Sequence, residues 1–383
     1  MTTPFYLTLK EIWRNRGRFL LFSLVIALIT VLVLFIAALA DGLGNGNREY
    51  IEKLNGDLLV YKANVDLSIG ASRLDRSQLR AVLRVPGVKD AGQASFSSVV
   101  LVQDNGNKFN VALIGVEPGK PGEPPVVVGR GLDARGAEAI IDRNVALRTG
   151  YTVGDSIRLK SIQGTREEFY TVQIVGVSDG RQYSLQPSVI VSHATFDRVR
   201  PGTPNVNTTD LVSNLIIVQL DEPANWKAMA TVLENQVEGI QAVDRQTAYQ
   251  NTPGYSAQQS TLDTQRFFSL LIGVLVIGGF FQIQTLQKVP QIGMLKAVGA
   301  SNGLIAIAAL TQIVLVTILG VSIGAAVTVL LSLTFPATVP IVFSPMAIVI
   351  GVASLMLVGP IGGLVSVRYA LRVEPLTALG LAG

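Results

Sequence analysis

Four long apolar runs limit what this chain can fold into. Residues 19–40 and 267–286 contain no Asp, Glu, Lys or Arg, and none occurs between Lys296 and Arg368. At about 1.5 Å of rise per residue, roughly 20 apolar residues carry a helix across the hydrocarbon core of a bilayer. The last uncharged stretch is too long for one crossing. Phe335, Pro336, Pro340 and Pro345 divide it, which places spans at 303–333 and 346–367 around a turn at 334–345. The competing reading of any one run is a buried helix of a soluble protein. It weakens because a charge at mid-span would cost roughly 2.5–3.5 kcal/mol and every run excludes one. Only 15% of the 383 residues are charged, against about 25% in soluble domains.

The basic residues set the orientation. Lys10, Arg14, Arg16 and Arg18 precede the first span, Lys288 and Lys296 follow the second, and Arg368 and Arg372 follow the fourth. The 334–345 turn has no charge. The positive-inside rule then puts both termini and the 287–302 segment in the cytoplasm, and residues 41–266 outside. The net charge of +4 is absorbed as an orientation signal, and nucleic acid is not expected as a partner. In 1–18, Phe5, Leu9, Ile12 and Trp13 recur at helical spacing opposite Lys10, Arg14 and Arg18. This is the pattern of an amphipathic helix lying in the bilayer interface. The 19–40 run is longer than the apolar region of a signal peptide, so a retained anchor is expected. Asp41 and Gly42 are expected to end that span, and 368–383 reads as a cytoplasmic tail.

The fold class expected is a membrane α-helical protein of four transmembrane helices. An extracytoplasmic α+β domain is inserted between the first and second of them. Within 41–266, Asp57 to Lys62 reads as a strand, and Ser77 to Arg84 as a helix stopped by Pro86-Gly87. Ser97 to Gln103 and Phe109 to Val116 flank the hairpin turn Asp104-Asn105-Gly106-Asn107. Ile157 to Lys160 and Phe169 to Val177 pair around Gly164. Leu215 to Leu220 reads as a strand, followed by a helix from Pro223 to Gln236. The stretch from about Pro118 to Arg200 is the richer in strands, which suggests two subdomains. Asn47 to Leu54 and Ser256 to Arg266 look helical and adjoin the spans, as stalks would.

Several chemistries lack their residues. There are no cysteines and one histidine, His193, so neither a thiolate site nor a multi-histidine metal site can form. A phosphate-binding P-loop needs Gly-Lys-Ser/Thr, and the one Lys before Ser or Thr, Lys160, follows Leu159. Asp41-Gly42-Leu43-Gly44-Asn45-Gly46 is glycine-rich but follows a span, so it reads as a helix end or stalk hinge. His193 reads as a polar turn residue after a strand at Ser188 to Val191. Asn207-Thr208-Thr209 matches a glycosylation sequon by pattern only. No metal, cofactor or catalytic residues are therefore expected, and the chain is not read as an enzyme. Gln282, Gln284 and Gln312 are the strongly polar residues of the spans; they read as interhelical hydrogen bonds, with substrate ligands as the alternative. Gly320 and Gly324 form a G-x-x-x-G pair that marks a close helix contact or background glycine.

The most distinctive segment lies at 287–302. Pro290 suits the first turn of a helix, Ile292, Leu295 and Val298 form an apolar stripe, and Gly299 suits the helix end. Ser301 or Asn302 suits the cap of the third span. An exposed amphipathic helix between two spans fits docking into a partner's groove; a plain connecting loop is the alternative. The run Gln291-Ile292-Gly293-Met294-Leu295-Lys296-Ala297-Val298-Gly299-Ala300-Ser301 resembles the E-I-G-I-L-K-A-I-G-A-S signature of MacB/FtsX/LolC-type permeases of ABC transporters (the type VII superfamily). Gln291 replaces the family's Glu and Pro290 is atypical. Gly150-Tyr151-Thr152-Val153-Gly154-Asp155 with Val172 to Val177, and Arg372-Val373-Glu374-Pro375-Leu376-Thr377-Ala378-Leu379, resemble two further family passages. The short outer domain and missing ATPase are similar to the separate permeases of the DevC group.

The resemblance implies a permease of the bacterial cytoplasmic membrane, paired with a second copy in a homodimer. It implies a separate ABC ATP-binding subunit that carries ATP and Mg, docked on a coupling helix. Pro290, Gln291, Ile292, Met294, Leu295, Lys296, Val298 and Gly299 would form that helix. It further implies mechanotransmission, in which ATP-driven movement does work outside the membrane. The expected outcome is export of a lipid, peptide or drug-like molecule, with a periplasmic adaptor or membrane fusion protein as a further partner. The alternative is an FtsX-like signalling subunit that activates a cell-wall hydrolase.

Overall fold

The computed structural model describes residues 14, 16–134, 136–202, 212–334 and 345–372. The interfacial helix expected at 1–18, the turn at 334–345 and the terminal motif after Arg372 lie mostly outside these residues, and the sequon at 207–209 wholly so. The chain forms two compact units, one of Met1–Gly42 with Gln259–Gly383 and one of Leu43–Gln258. In chain order the elements begin with helix α1 (Arg16–Glu52), strand β1 (Leu58–Lys62) and helix α2 (Arg76–Val82). Strands β2 (Val88–Val102), β3 (Lys108–Val116), β4 (Val126–Gly129) and β5 (Glu138–Asp142) follow, then α3 (Arg143–Thr149). Next come β6 (Ser156–Gln163), β7 (Arg166–Ser178), β8 (Ser188–Ser192), α4 (His193–Val199) and β9 (Leu215–Leu220). A 3-10 turn at Pro223–Asn225 leads into α5 (Trp226–Gln236), β10 (Ile240–Asp244) and α6 (Arg245–Gln250). The chain ends with α7 (Tyr255–Gln287), α8 (Val289–Ala297), α9 (Asn302–Ser332) and α10 (Pro345–Arg372).

The four longest helices, α1, α7, α9 and α10, each hold a stretch long and apolar enough to cross a membrane. Their inward faces meet in one cluster, with Ile26 and Val33 from α1, Ile277 and Phe281 from α7, Ile313 and Val316 from α9, and Leu355 and Val358 from α10. Much of the rest is exposed leucine and isoleucine, such as Leu28 at 71% and Leu275 at 66%, the surface that lipid would cover.

Leu43–Gln258 joins two architectures. In the first, strands run β10-β1-β9-β2, all antiparallel. Helix α2 connects β1 to β2 and α5 connects β9 to β10, which is the split β-α-β arrangement of ferredoxin-like folds. Side chains alternate across a strand, and β1 shows the consequence. Leu58 and Val60 pack under α2 and α5 with Leu79, Val82 and Leu233. Leu59 and Tyr61 point the other way, into a cluster with Tyr50 and Ile51 from the end of α1 and Leu54 just after it. Both faces are covered, so β1 reads Leu-Leu-Val-Tyr-Lys with no polar alternation.

The second architecture is a closed ring. β2 pairs β3, β3 pairs β8, β8 pairs β5, β5 pairs β7, β7 pairs β6, and β6 returns to β2 through Val100↔Lys160, Leu101↔Leu159 and Val102↔Arg158. Its interior is filled by alternate residues such as Leu101, Leu113, Ile141, Leu159, Ile174 and Val189. Helices α3 and α4 add Val145, Phe196 and Val199 to that core. Closure removes free sheet edges around the ring. The two architectures share one long strand, β2, and the ring takes β2 and β3 from outside the strand-rich stretch expected at about Pro118 to Arg200.

The glycine-rich stretch at 41–46 does not end the first helix. α1 continues through it to Glu52. Glycine within a helix costs about 1 kcal/mol relative to alanine, but fully buried Tyr50, Ile51 and Leu54 anchor the helix beyond it. Gly46 also serves a contact. A side chain there would overlap Leu185, whose backbone N–H donates to Gly46 O at 3.1 Å.

Candidate functional site

α8 is built as its sequence suggests. Pro290 lies in the first turn, where a missing N–H breaks no helical bond. At the other end Val298 remains right-handed and Gly299 takes φ +101°, a left-handed position that suits glycine. Ala300 N–H then donates to Leu295 O at 2.9 Å, and Gly299 N–H to Lys296 O at 3.0 Å. This closes the helix with reversed-end hydrogen bonds. Ser301 is the cap of α9, its Oγ accepting from Leu304 N–H at 3.3 Å.

The apolar stripe does not lie on one open face. Ile292 is 9% exposed and packs with Ile305 and Ala370. The open apolar surface consists of Met294, Leu295 and Val298, at 59%, 48% and 85% exposure. The reason is the spacing: two steps of three residues drift round a helix of about 3.6 residues per turn. Two lysines fix α8 to the bundle. Lys288 Nζ donates to Gln312 Oε1 at 3.0 Å, and Lys296 Nζ donates to Leu371 O at 2.7 Å. Neither latch was read from the sequence. Pro290 and Gln291 are exposed.

Gly320 and Gly324 face α1. A Cβ on Gly320 would lie 2.6 Å from Ile26 Cβ, and one on Gly324 2.5 Å from Thr30 Cβ and 2.6 Å from Ala27 O. A second glycine pair brings α7 and α10 together, with a Cβ on Gly278 placed 2.8 Å from Gly362 O. The glutamines meet the expectation of interhelical hydrogen bonds only in part. Gln312 is held by Lys288, but neither Nε2 nor Oε1 of Gln284 has a hydrogen-bond partner among the described residues, although Gln284 is 3% exposed.

In the α+β unit, His193 opens helix α4 rather than a turn, with its Nε2 3.3 Å from Gln93 O. Burial lowers its pKa below the usual histidine range. Asp142 is fully buried at the start of α3. Its Oδ1 accepts from Val145 N–H at 2.7 Å. Burial pushes its pKa up to about 6 against the pull of those N–H donors. No cluster of three or more His, Cys, Asp or Glu suited to a metal occurs among the described residues.

Comparison with known proteins agrees with this layout. The MacB-like periplasmic core domain family matches residues 19–236, and the FtsX-like permease C-terminal family matches 266–375. A putative hemin transport system permease protein HrtB from Staphylococcus haemolyticus is 26% identical over 371 residues, 97% of this chain and 98% of the relative. An uncharacterized ABC transporter permease from Mycobacterium bovis is 22% identical over 377 residues, 96% of this chain and 97% of the relative. The periplasmic region of MacB from Actinobacillus actinomycetemcomitans matches 53% of this chain and 95% of its own at 13% identity, with a TM-score of 0.36. Membership of such a family implies a bacterial inner-membrane protein with an ATP-binding partner subunit. With its four apolar helices and inserted periplasmic domain, the chain belongs to the MacB/FtsX-type family of ABC transporter permeases.

Proposed function

We propose that this permease couples ATP hydrolysis on a separate subunit to work in its α+β domain, and so exports an amphipathic compound. The observation that supports this most is α8, a short helix with Met294, Leu295 and Val298 open and its inner side latched by Lys288 and Lys296. Such a helix accepts force from a docked partner and delivers it to the bundle. In this reading α8 faces the cytoplasm, two copies of the chain form a homodimer, and each engages one ATP-binding subunit. α1 and α7 are each continuous across the boundary of the Leu43–Gln258 unit, which supports reading them as the elements for mechanotransmission. Allostery of this kind requires two states that ATP biases differently.

The substrate proposed is a lipid, peptide or drug-like molecule. The staphylococcal relatives, named as hemin transport permeases, make hemin the first compound to try. The full complex would be purified in mild detergent and its ATPase activity measured with hemin, lipids and peptides. Leu295→Asp places a charge in the docking face and is expected to weaken ATPase-subunit binding at least about tenfold, with the variant still in the membrane fraction. Full ATPase binding and transport by that variant would overturn the assignment of α8. Stimulation by a cell-wall hydrolase, with no response to any exported compound, would replace export by the signalling role.

A further inference from the structure

A cavity of about 540 Å³ is lined by residues of α7, α8, α9 and α10 together with Arg14. Its size falls within the roughly 300–1,000 Å³ of pockets that hold small ligands. Its lining mixes two chemistries. Phe281, Ile305, Ala309 and Ile313 supply apolar lining, and Gln284, Gln312 and Lys288 supply polar groups on the same helix faces.

The polar groups are incompletely bonded. Gln284 is 97% removed from solvent by its 3% exposure, yet both ends of its amide lack a hydrogen-bond partner among the described residues. The Nε2 of Gln312 is in the same condition, because Lys288 engages only its Oε1. Buried amides without partners are rare and call for an occupant that bonds to them. The lining is rich in donors: the Gln312 amide stands beside the Lys288 ammonium, and the Gln284 amide lines the same cavity. The described lining residues carry the cations Arg14 and Lys288 and include no carboxylate. Donors, positive potential and adjoining apolar lining together select an anion that carries a hydrocarbon part. Basic pockets between spans, at the basic end of a bundle, suit anionic lipid headgroups.

We propose that this cavity binds the phosphate headgroup of an anionic membrane lipid, with the Gln284 and Gln312 amides and Lys288 on the phosphate oxygens and the upper acyl chain along Ile305 and Ala309. The same donors would accept free phosphate, but free phosphate leaves the apolar lining uncovered, so the lipid is the occupant inferred. Gln291, Ile292 and Leu295 of α8 line the same cavity. A bound lipid therefore stiffens the seat of α8. Leu295 belongs both to this lining and to the open apolar surface of α8, so the readout is lipid retention rather than subunit binding.

The test is native mass spectrometry of the full-length protein, purified in mild detergent and exchanged with phosphatidylglycerol, phosphatidylcholine or inorganic phosphate. Phosphatidylglycerol is expected to remain bound to the wild-type protein in preference to phosphatidylcholine, with inorganic phosphate failing to displace it. Gln284→Leu and Gln312→Leu, which keep the shape and remove the donors, are each expected to reduce retention about tenfold. Equal retention of the two lipids overturns the proposal, as does undiminished phosphatidylglycerol binding by both variants. Binding of inorganic phosphate without lipid overturns the lipid as occupant. If the leucine variants fail to fold, the wild-type preference between the two lipids still decides.

Discussion

The membrane bundle and the α+β unit are held together by opposite means. In the bundle, close contacts are made by residues that have little or no side chain: Gly320 and Gly324 against α1, and Gly278 against Gly362. In the α+β unit the contacts come from the largest apolar residues, among them Tyr50, Tyr61, Leu113 and Ile141, all essentially inaccessible. The solvent explains the difference. Lipid is as apolar as leucine, so helices in it gain by fitting backbone to backbone. In water, removing a Leu or Ile side chain from solvent is worth about 1.5–3 kcal/mol, so bulk is rewarded. Helix starts do not follow this division: Asp75, Asp142, Ser192 and Asp244 cap helices of the α+β unit through their side chains, and Ser301 caps α9 of the bundle in the same way.

Substitutions that exchange these two strategies should break the contrast. The largest effect is expected from Ile141→Ala inside the barrel, about 2–5 kcal/mol, read as a loss of the α+β unit's resistance to proteolysis during denaturant titration. A loss below about 1 kcal/mol would mean that the ring relaxes into the space as bundles in lipid can. Asp142 comes next. Its folded pKa of about 6 lies above the ordinary 3.8, so its contribution is fully present below about pH 4 and is lost as pH rises through 6. The shift corresponds to about 3 kcal/mol. Asp142→Asn should flatten that decline in stability between pH 4 and 6, measured by thermal unfolding; an unchanged slope would place the titration elsewhere.

Gly324→Leu should cost the bundle about 1–3 kcal/mol by overpacking while leaving the α+β unit's protease resistance intact. A rise in melting temperature in detergent would show that α1 and α9 are not in contact there. The smallest effect is expected at Gly299→Val, about 1–2 kcal/mol for a left-handed β-branched residue. It should appear as weaker ATPase-subunit binding with an unchanged barrel.

How much of this was legible in the sequence also divides along the two regions. The spans could be read because a single property, absence of charge, persists over a whole helix. The hairpin of β2 and β3 could be read from Asn105-Gly106 between two β-rich runs. β5 could not, since Glu138 to Asp142 is five residues long and its pairing partners are distant in the chain. Ring closure was hidden for the same reason: the β2–β6 pairing joins segments nearly sixty positions apart, Val100 to Lys160, and no local pattern encodes it. The glycines at 42, 44 and 46 misled because local propensity favours a break there, while buried Tyr50 and Ile51 overrule it. At α8 the helix, its first-turn proline and its terminal glycine were all readable. The inward turn of Ile292 was not, because it depends on Ile305 and Ala370 from two other helices. The amides of Gln284 and Gln312 carried a signal, two of the three glutamines in the apolar spans, but only three dimensions place them around one cavity.

Strand β2 lends its first half to the ferredoxin-like sheet, pairing β9 from Val88 to Ala94, and its second half to the ring, pairing β3 from Ala94 to Val102. A fluctuation that unzips one half therefore frays the backbone on which the other is built. The two architectures should melt as a single cooperative block, with amide protons along all of β2 exchanging at one common, slow rate.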